Sequence, residues 1–179
     1  SNKKSVNSIE NWDVSSLEDF SSAVVVYPNG YSDFNSDISQ WNMSNATKTF
    51  AMFFLCRSFN QNIGSWNVGN VIDMQAMFYG ATSFNQDISG WNTSNCLSMK
   101  YMFYNATNFL QDIRKWNVNN VQSFDRMFDG ATRMLETYPE LTTEQGIRDW
   151  FASYYSVSGD SGDNTIGGDA TEPEPLPPP

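Results

Sequence analysis

Residues 81–103 read ATSFNQDISGWNTSNCLSMKYMF, and nearly the same string stands one unit earlier, at 56–78, and one unit later, at 106–128. Working outward, Trp41, Trp66, Trp91 and Trp116 recur at one constant interval, and Phe34, Phe59, Phe84 and Phe109 recur at the same one. Ile38, Ile63, Ile88 and Ile113 keep that period, and so do the pairs Met52-Phe53, Met77-Phe78, Met102-Phe103 and Met127-Phe128. One further unit stands upstream, with Ile9, Trp12, Val14, Leu17 and Phe20 at matching offsets. The step from Trp12 to Trp41 is longer than the common interval by four, so this unit carries a four-residue insertion. Turn chemistry at Pro28-Asn29-Gly30 places it within Val24 to Ser32. Five units therefore occupy about residues 9 to 134, and such a fixed period is the signature of a repeat architecture.

Within one unit, Ile63-x-x-Trp66-x-Val68-x-x-Val71 follows the spacing of a leucine-rich repeat, with Trp in place of one Leu. Trp66 and Val68 share a face if the segment is a short strand, with Asn67 pointing out. Asn70 then suits the N-cap of a short helix. Val71, Met74, Phe78 and Ala81 recur at helical spacing, and Gly80 suits the helix stop. The expectation is an α/β repeat solenoid: about five strand–helix units, leucine-rich-repeat-like, sharing a short parallel sheet. A single unit cannot cover its own Trp, Met and Phe side chains, so the units must stack.

The pattern fails after Ala131, and Tyr138-Pro139 breaks the chain. Thr142 and Gln145 read as a capping box, followed by Ile147, Trp150, Phe151 and Tyr154 along one helical stripe. That helix is expected to cover the end of the stack. The resulting organisation is residues 1–135 as the solenoid, 136–157 as the capping helix, and 158–179 as an acidic Pro-rich linker or tail. Residues 156–179 contain five acidic and no basic side chains and end Glu172-Pro173-Glu174-Pro175-Leu176-Pro177-Pro178-Pro179. This composition cannot bury a core and suits an extended or disordered link to neighbouring domains of a longer chain.

The 81–103 string resembles the BspA-like leucine-rich surface-protein family, whose unit reads roughly A-x-x-F-N-Q-D-I-S-x-W-[ND]-V-S-N-V-x-x-M-x-x-M-F. Matching residues run from about Ile9 to Ala131. The departures are the insertion in the first unit, Cys96 for the usual Val and Leu110 for the usual Asn. The resemblance implies a leucine-rich-repeat fold, exposure at a cell surface and a role in adhesion or interaction. It implies no catalytic residues.

Composition narrows the partners. Ten basic against twenty acidic residues give a net charge of -10, which disfavours nucleic acid and anionic membrane surfaces, since both are bound through clustered Lys and Arg. No apolar run approaches the roughly 18 residues of a membrane span. The chain begins at Ser1 with no visible signal peptide, which fits a trimmed segment. There is no His to act as a base, no phosphate-binding Gly loop and no C-x-x-C pair. Cys56 and Cys96 sit at different repeat positions and are expected as buried free thiols. No cofactor, metal or catalytic residue is assigned.

The candidate binding face is the outward row Asp13, Asn42, Asn67, Asn92 and Asn117, directly after each Trp. Flanking it are Gln40, Ser65, Gly90 and Lys115 on one side and Ser15, Ser44, Gly69, Ser94 and Asn119 on the other. Amides and hydroxyls in such a row suit hydrogen bonding to a glycan or a polar protein face, or simply to solvent. A second row, Asp37, Asn62, Asp87 and Asp112, admits calcium or a glycosidase carboxylate pair, but turn capping fits the Asn better. Asp160, Asp163 and Asp169 among glycines resemble a calcium loop only faintly. Asn42, Asn45, Asn92 and Asn105 head N-x-S/T sequons. The functional expectation is a non-enzymatic extracellular or cell-surface binding or adhesion module for a protein or glycan. The alternative is a structural subunit of an extracellular filament, coat or other surface assembly.

Overall fold

The computed structural model describes residues 9–24 and 31–158. The inserted turn near Pro28 and the acidic Pro-rich segment lie outside them. The described elements are a 3-10 turn at Ile9–Asn11, helix α1 at Thr132–Thr137, a 3-10 turn at Pro139–Thr142 and helix α2 at Glu144–Ser158.

The expected α/β solenoid of strand–helix units with a parallel sheet is overturned, and with it the leucine-rich-repeat description. Between Trp12 and Ala131 the described residues form turns, with no helix and no strand. Parallel pairing is reduced to isolated bridges, Asp19 with Lys48, Ser32 with Cys56, Lys48 with Asp73, Asp73 with Ser98 and Ser98 with Ser123. The segment read as a strand is two successive turns. Trp66 N–H donates to Ile63 O at 3.1 Å and Val71 N–H to Val68 O at 2.9 Å. Asn70 caps no helix, because turns follow it; its Nδ2 donates to Ser44 O at 2.7 Å.

The expected helix from Asn70 is replaced by a chain of turns in which two backbone directions alternate. Met77, Tyr79 and Ala81 donate to the carbonyl three positions back, whereas Met74, Ala76, Phe78 and Gly80 donate to Ser98, Lys100, Met102 and Tyr104. Every second amide thus links its segment to the next layer. This alternation requires left-handed backbone at Ala51, Ala76, Tyr101 and Arg126 (φ 51 to 56°), and again at Leu55, Gly80, Asn105 and Gly130 (φ 54 to 71°). An α-helix cannot contain such residues.

The buried side chains stack as columns. Phe53, Phe78, Phe103 and Phe128 follow one another with ring centroids 5.5, 5.5 and 5.6 Å apart. Phe34, Phe59, Phe84 and Phe109 do so at 5.9, 5.9 and 6.0 Å. Trp41 stacks on Trp66 at 6.5 Å and Trp91 on Trp116 at 6.1 Å. Each of the last three tryptophans also donates its Nε1 to an isoleucine carbonyl in the preceding layer: Trp66 to Ile38 O, Trp91 to Ile63 O and Trp116 to Ile88 O, at 3.0 to 3.2 Å. Met52, Met77, Met102 and Met127 are fully enclosed. Trp12, read as the first of the tryptophan column, is instead 54% exposed.

Helix α2 lies across the last layer. Phe151 stacks on Phe124 at 5.6 Å and Trp150 meets Phe128 edge-on at 6.1 Å, with Ile147 buried beside them. Its first turn is capped by Thr143, whose Oγ1 accepts Gly146 N–H at 3.0 Å, one residue later than the expected Thr142. Glu144 Oε1 accepts Phe124 N–H at 3.1 Å. In the layers above, the equivalent amides of Met74 and Met99 donate to Ser98 O and Ser123 O. The carboxylate therefore stands in for the carbonyl of a further layer.

Candidate functional site

The outward row of Asp13, Asn42, Asn67, Asn92 and Asn117 is exposed, but it does not lie on a strand. Each side-chain oxygen accepts the backbone N–H two positions on, from Ser15, Ser44, Gly69, Ser94 and Asn119, at 3.0 to 3.2 Å. These are Asx turns. Their oxygens are therefore committed to the fold. Ser65 and Asn119 beside the row are exposed, while Ser44 and Ser94 are half-buried.

The second row behaves the same way. Asp37, Asn62, Asp87 and Asp112 accept N–H groups of Ser39, Gly64, Ser89 and Arg114 at 2.9 to 3.1 Å. The N–H and then the hydroxyl of Ser39 hold the Asp37 carboxyl below its ordinary range, and Ser89 does the same for Asp87. Burial pushes Asp112 upward, but the Arg114 guanidinium, 2.7 Å away, outweighs it. Among the described residues no cluster of three acidic or Cys side chains is arranged to hold a metal ion.

Further amides join the layers. Asn45, Asn70, Asn95 and Asn120 donate Nδ2 to Ser15 O, Ser44 O, Gly69 O and Ser94 O at 2.7 to 2.8 Å. The Asn45 sequon thus has its acceptor nitrogen engaged. The Nδ2 atoms of Asn42, Asn92 and Asn105 make no hydrogen bond among the described residues, and all three side chains are exposed. Cys56 and Cys96 are buried and unpaired, and burial pushes each thiol up to about 11.

A different feature opens on the turn-built face. A groove of about 420 Å³ is lined by Ser22, Phe50, Ala51, Phe54, Gln75, Ala76, Tyr79 and Tyr101. Its floor is the left-handed register itself: Ser22 (φ 56°), Ala51 (φ 52°) and Ala76 (φ 54°), with Tyr101 (φ 56°) filling the same position one layer on. Small side chains leave the channel open over three layers, and the tyrosine stops it. One wall is Phe50, 37% exposed, followed by Gln75. The other is an aromatic ridge in which Phe54 stacks on Tyr79 at 4.7 Å and Tyr79 on Tyr104 at 4.6 Å. Tyr101 meets Tyr104 edge-on at 6.1 Å. Burial, with the nearby Tyr104 and Tyr101 phenols, raises the Tyr79 hydroxyl above its ordinary range.

None of the eight lining side chains is charged. The backbone of the floor is also spent, since the Ala51, Ala76 and Tyr101 amides donate to Gln75 O, Lys100 O and Asp125 O at 2.8 to 2.9 Å. What remains for a ligand is apolar surface, ring edges, two phenols, one serine hydroxyl and one amide side chain. Reading the sequence for outward polar rows passes over these residues. Their signal is the aromatic directly after each Met-Phe pair, Phe54, Tyr79 and Tyr104, set against Ala51 and Ala76 just before the pairs.

No curated protein and no solved structure matches the chain. A family described as Mycoplasma protein of unknown function, DUF285, matches twice, over residues 1–82 and 23–141. These overlapping matches together span residues 1–141 of 179, and the chain belongs to the DUF285 family.

Proposed function

We propose that the chain is a non-enzymatic binding module whose contact surface is the aromatic-walled groove over Ala51 and Ala76. The observation that carries this reading is the groove floor. Tyr101 and Arg126 occupy the same backbone register as Ala51 and Ala76 with φ values of 51 to 56°, so the backbone does not demand a small side chain there. The alanines at that register are themselves nearly covered and leave the flanking rings of Phe50, Phe54 and Tyr79 accessible above them, where larger side chains would close the groove. A concavity of this volume with aromatic walls has the size and lining typical of small-ligand and peptide sites. The Asx rows are spoken for by their own turns and offer mainly N–H groups. The resemblance to BspA-like surface proteins supports an extracellular setting and a protein or glycan as partner.

The test uses that register. Ala76→Tyr fills the groove at a position whose backbone tolerates tyrosine one layer away, so the fold is expected to survive. The full chain is screened against arrayed neutral oligosaccharides and short peptides, including proline-rich and aliphatic ones. Binding to at least one array class is expected, weakened about tenfold or more by Ala76→Tyr, which corresponds to about 1.4 kcal/mol. Asn67→Glu, on the amide row, is expected to leave it unchanged. Absence of binding, or binding sensitive to Asn67→Glu but indifferent to Ala76→Tyr, would overturn the assignment.

A further inference from the structure

We infer that the groove receives the free C-terminal end of a partner polypeptide, a short extended apolar segment whose terminal carboxylate meets Lys100. The inference rests on the groove being a binding surface and names what binds there.

The place of Lys100 follows from the bonds between layers. Ser22 N–H donates to Phe50 O, Ala51 N–H to Gln75 O and Ala76 N–H to Lys100 O, at 2.8 to 2.9 Å. Each floor residue is thus joined to the wall position of the next layer, and the wall series runs Phe50, Gln75, Lys100. Side chains at one register of the stack share a direction, as the Phe and Trp columns do. The wall therefore ends in a cation beside Tyr101, the residue that stops the groove. Lys100 is half-buried. The ion pairs among the described residues are made by Lys48, Arg114, Arg126 and Arg148, and Lys100 takes part in none of them. Asp125 holds the next wall position, its carbonyl accepting Tyr101 N–H at 2.9 Å. An anion is thus favoured at the Lys100 layer and opposed one layer further on. An otherwise uncharged groove with one cation at its closed end calls for an apolar ligand with a negative terminus.

The remaining groups select a peptide. An acyl chain would cover the Ser22 hydroxyl, the Gln75 amide and the Tyr79 and Tyr101 phenols without pairing them, and polar groups buried unpaired oppose binding. A peptide offers N–H and C=O groups to those same side chains. The floor amides are already paired between layers, so the segment is held by side chains and not as an added β-strand. An acidic sugar finds little open ring face on the ridge, because Phe54, Tyr79 and Tyr104 cover one another. The rings of that ridge follow at 4.7 and 4.6 Å. Three such steps, from Ser22 to Tyr101, span about 14 Å, room for about four extended residues at roughly 3.3 Å each. Tyr101 blocks the way beyond, which suits a chain that ends there better than one that continues.

The experiment titrates the full chain with acetylated tetrapeptides built from Ala, Val, Leu and Pro, each with a free carboxylate, and follows the amide signals of Ala51, Ala76 and Tyr101. The tightest binder is then remade as its C-terminal amide. The acid is expected to bind about fivefold or more tighter than the amide. Lys100→Met, which keeps the aliphatic stem, is expected to bring the acid down to the affinity of the amide and to leave the amide unchanged. Lys100→Arg is expected to restore the difference, and Ala76→Tyr to abolish binding of both. Equal binding of acid and amide would overturn the inference, as would a Lys100→Met variant that weakens both alike. Octanoate binding tighter than every peptide would also overturn it, by assigning the groove to an acyl chain. If acid and amide bind equally but remain sensitive to Ala76→Tyr, this inference fails and the binding-module reading stands. If no peptide, oligosaccharide or octanoate binds in an Ala76→Tyr-sensitive way, both fail.

Discussion

Replacing Trp91 with phenylalanine tests how the layers are held together. Trp91 is 3% exposed, its ring lies 6.1 Å from Trp116 and 6.3 Å from Phe78, and its Nε1 donates to Ile63 O at 3.1 Å. A phenylalanine keeps the stacking but loses that bond. Ile63 O retains one donor, the Trp66 N–H, so the loss costs about 1 kcal/mol rather than the larger penalty of an orphaned carbonyl. The smaller ring also gives up roughly 50 Å² of buried apolar contact, about 1.2 kcal/mol at roughly 25 cal/mol/Å². The sum is a destabilisation of about 2 kcal/mol. Trp150→Phe supplies the control. Trp150 is equally enclosed at 4% exposure, yet its Nε1 has no partner among the described residues. Removing it relieves an unsatisfied donor, so the packing loss is largely offset and the net cost is expected below about 1 kcal/mol. Urea unfolding at constant m-value, followed by circular dichroism, measures both. If Trp150→Phe costs as much as Trp91→Phe, the tryptophan-to-isoleucine bonds contribute nothing, and the account of layer cohesion is wrong.

Two further outcomes follow from the titratable groups. Asp13, Asp19, Asp37, Asp87 and Asp112 are all held below the ordinary carboxylate range. A depressed folded value contributes stability above the unfolded pKa, about 3.9, and that contribution is lost as pH falls through the folded values. The urea midpoint is therefore expected to stay level in this respect from pH 7 to about 5 and to drop below about 4, whereas constant or rising stability down to pH 2 would refute the carboxylate role. Cys56 and Cys96, with thiols near 11 and buried, are expected to resist a neutral thiol reagent at pH 8 until the chain unfolds. Rapid stoichiometric labelling of the native protein would contradict their placement in the core.

The fixed repeat period made the inner layers legible, because Trp, Phe, Ile and Met at constant offsets have to meet their copies. It could not reveal the local backbone. Val71, Met74, Phe78 and Ala81 are buried here as they would be along a helix face, since successive three-residue turns bring inward nearly the same positions. Period alone does not separate the two. Likewise Ile63-x-x-Trp66 fits a strand start and a turn closed by Trp66 N–H to Ile63 O. The outcome was encoded in Asn62 and Asn67, whose side chains cap the turns that follow them. Short polar residues at such close intervals compete with strand formation by bonding their own backbone. Trp12 misled for another reason: it keeps the same offset as Trp66 and Trp91 yet is 54% exposed, so matching spacing alone does not fix burial.

The groove was illegible because its floor depends on backbone handedness, which side-chain pattern does not report. Left-handed backbone costs a non-glycine residue roughly 1–2 kcal/mol, yet Ala51, Ala76, Tyr101 and Arg126 all adopt it. Ala51, Ala76 and Tyr101 each gain an interlayer hydrogen bond from the amide thus turned, to Gln75 O, Lys100 O and Asp125 O. A net gain of about 0.5–1.5 kcal/mol per bond offsets most of the strain. The strain is thus a property of the stack, shared by every layer whatever its side chain. It follows that glycine, the residue that relieves such strain best, has no structural monopoly at this register. The choice of alanine at 51 and 76 against tyrosine at 101 and arginine at 126 is then a choice about surface shape.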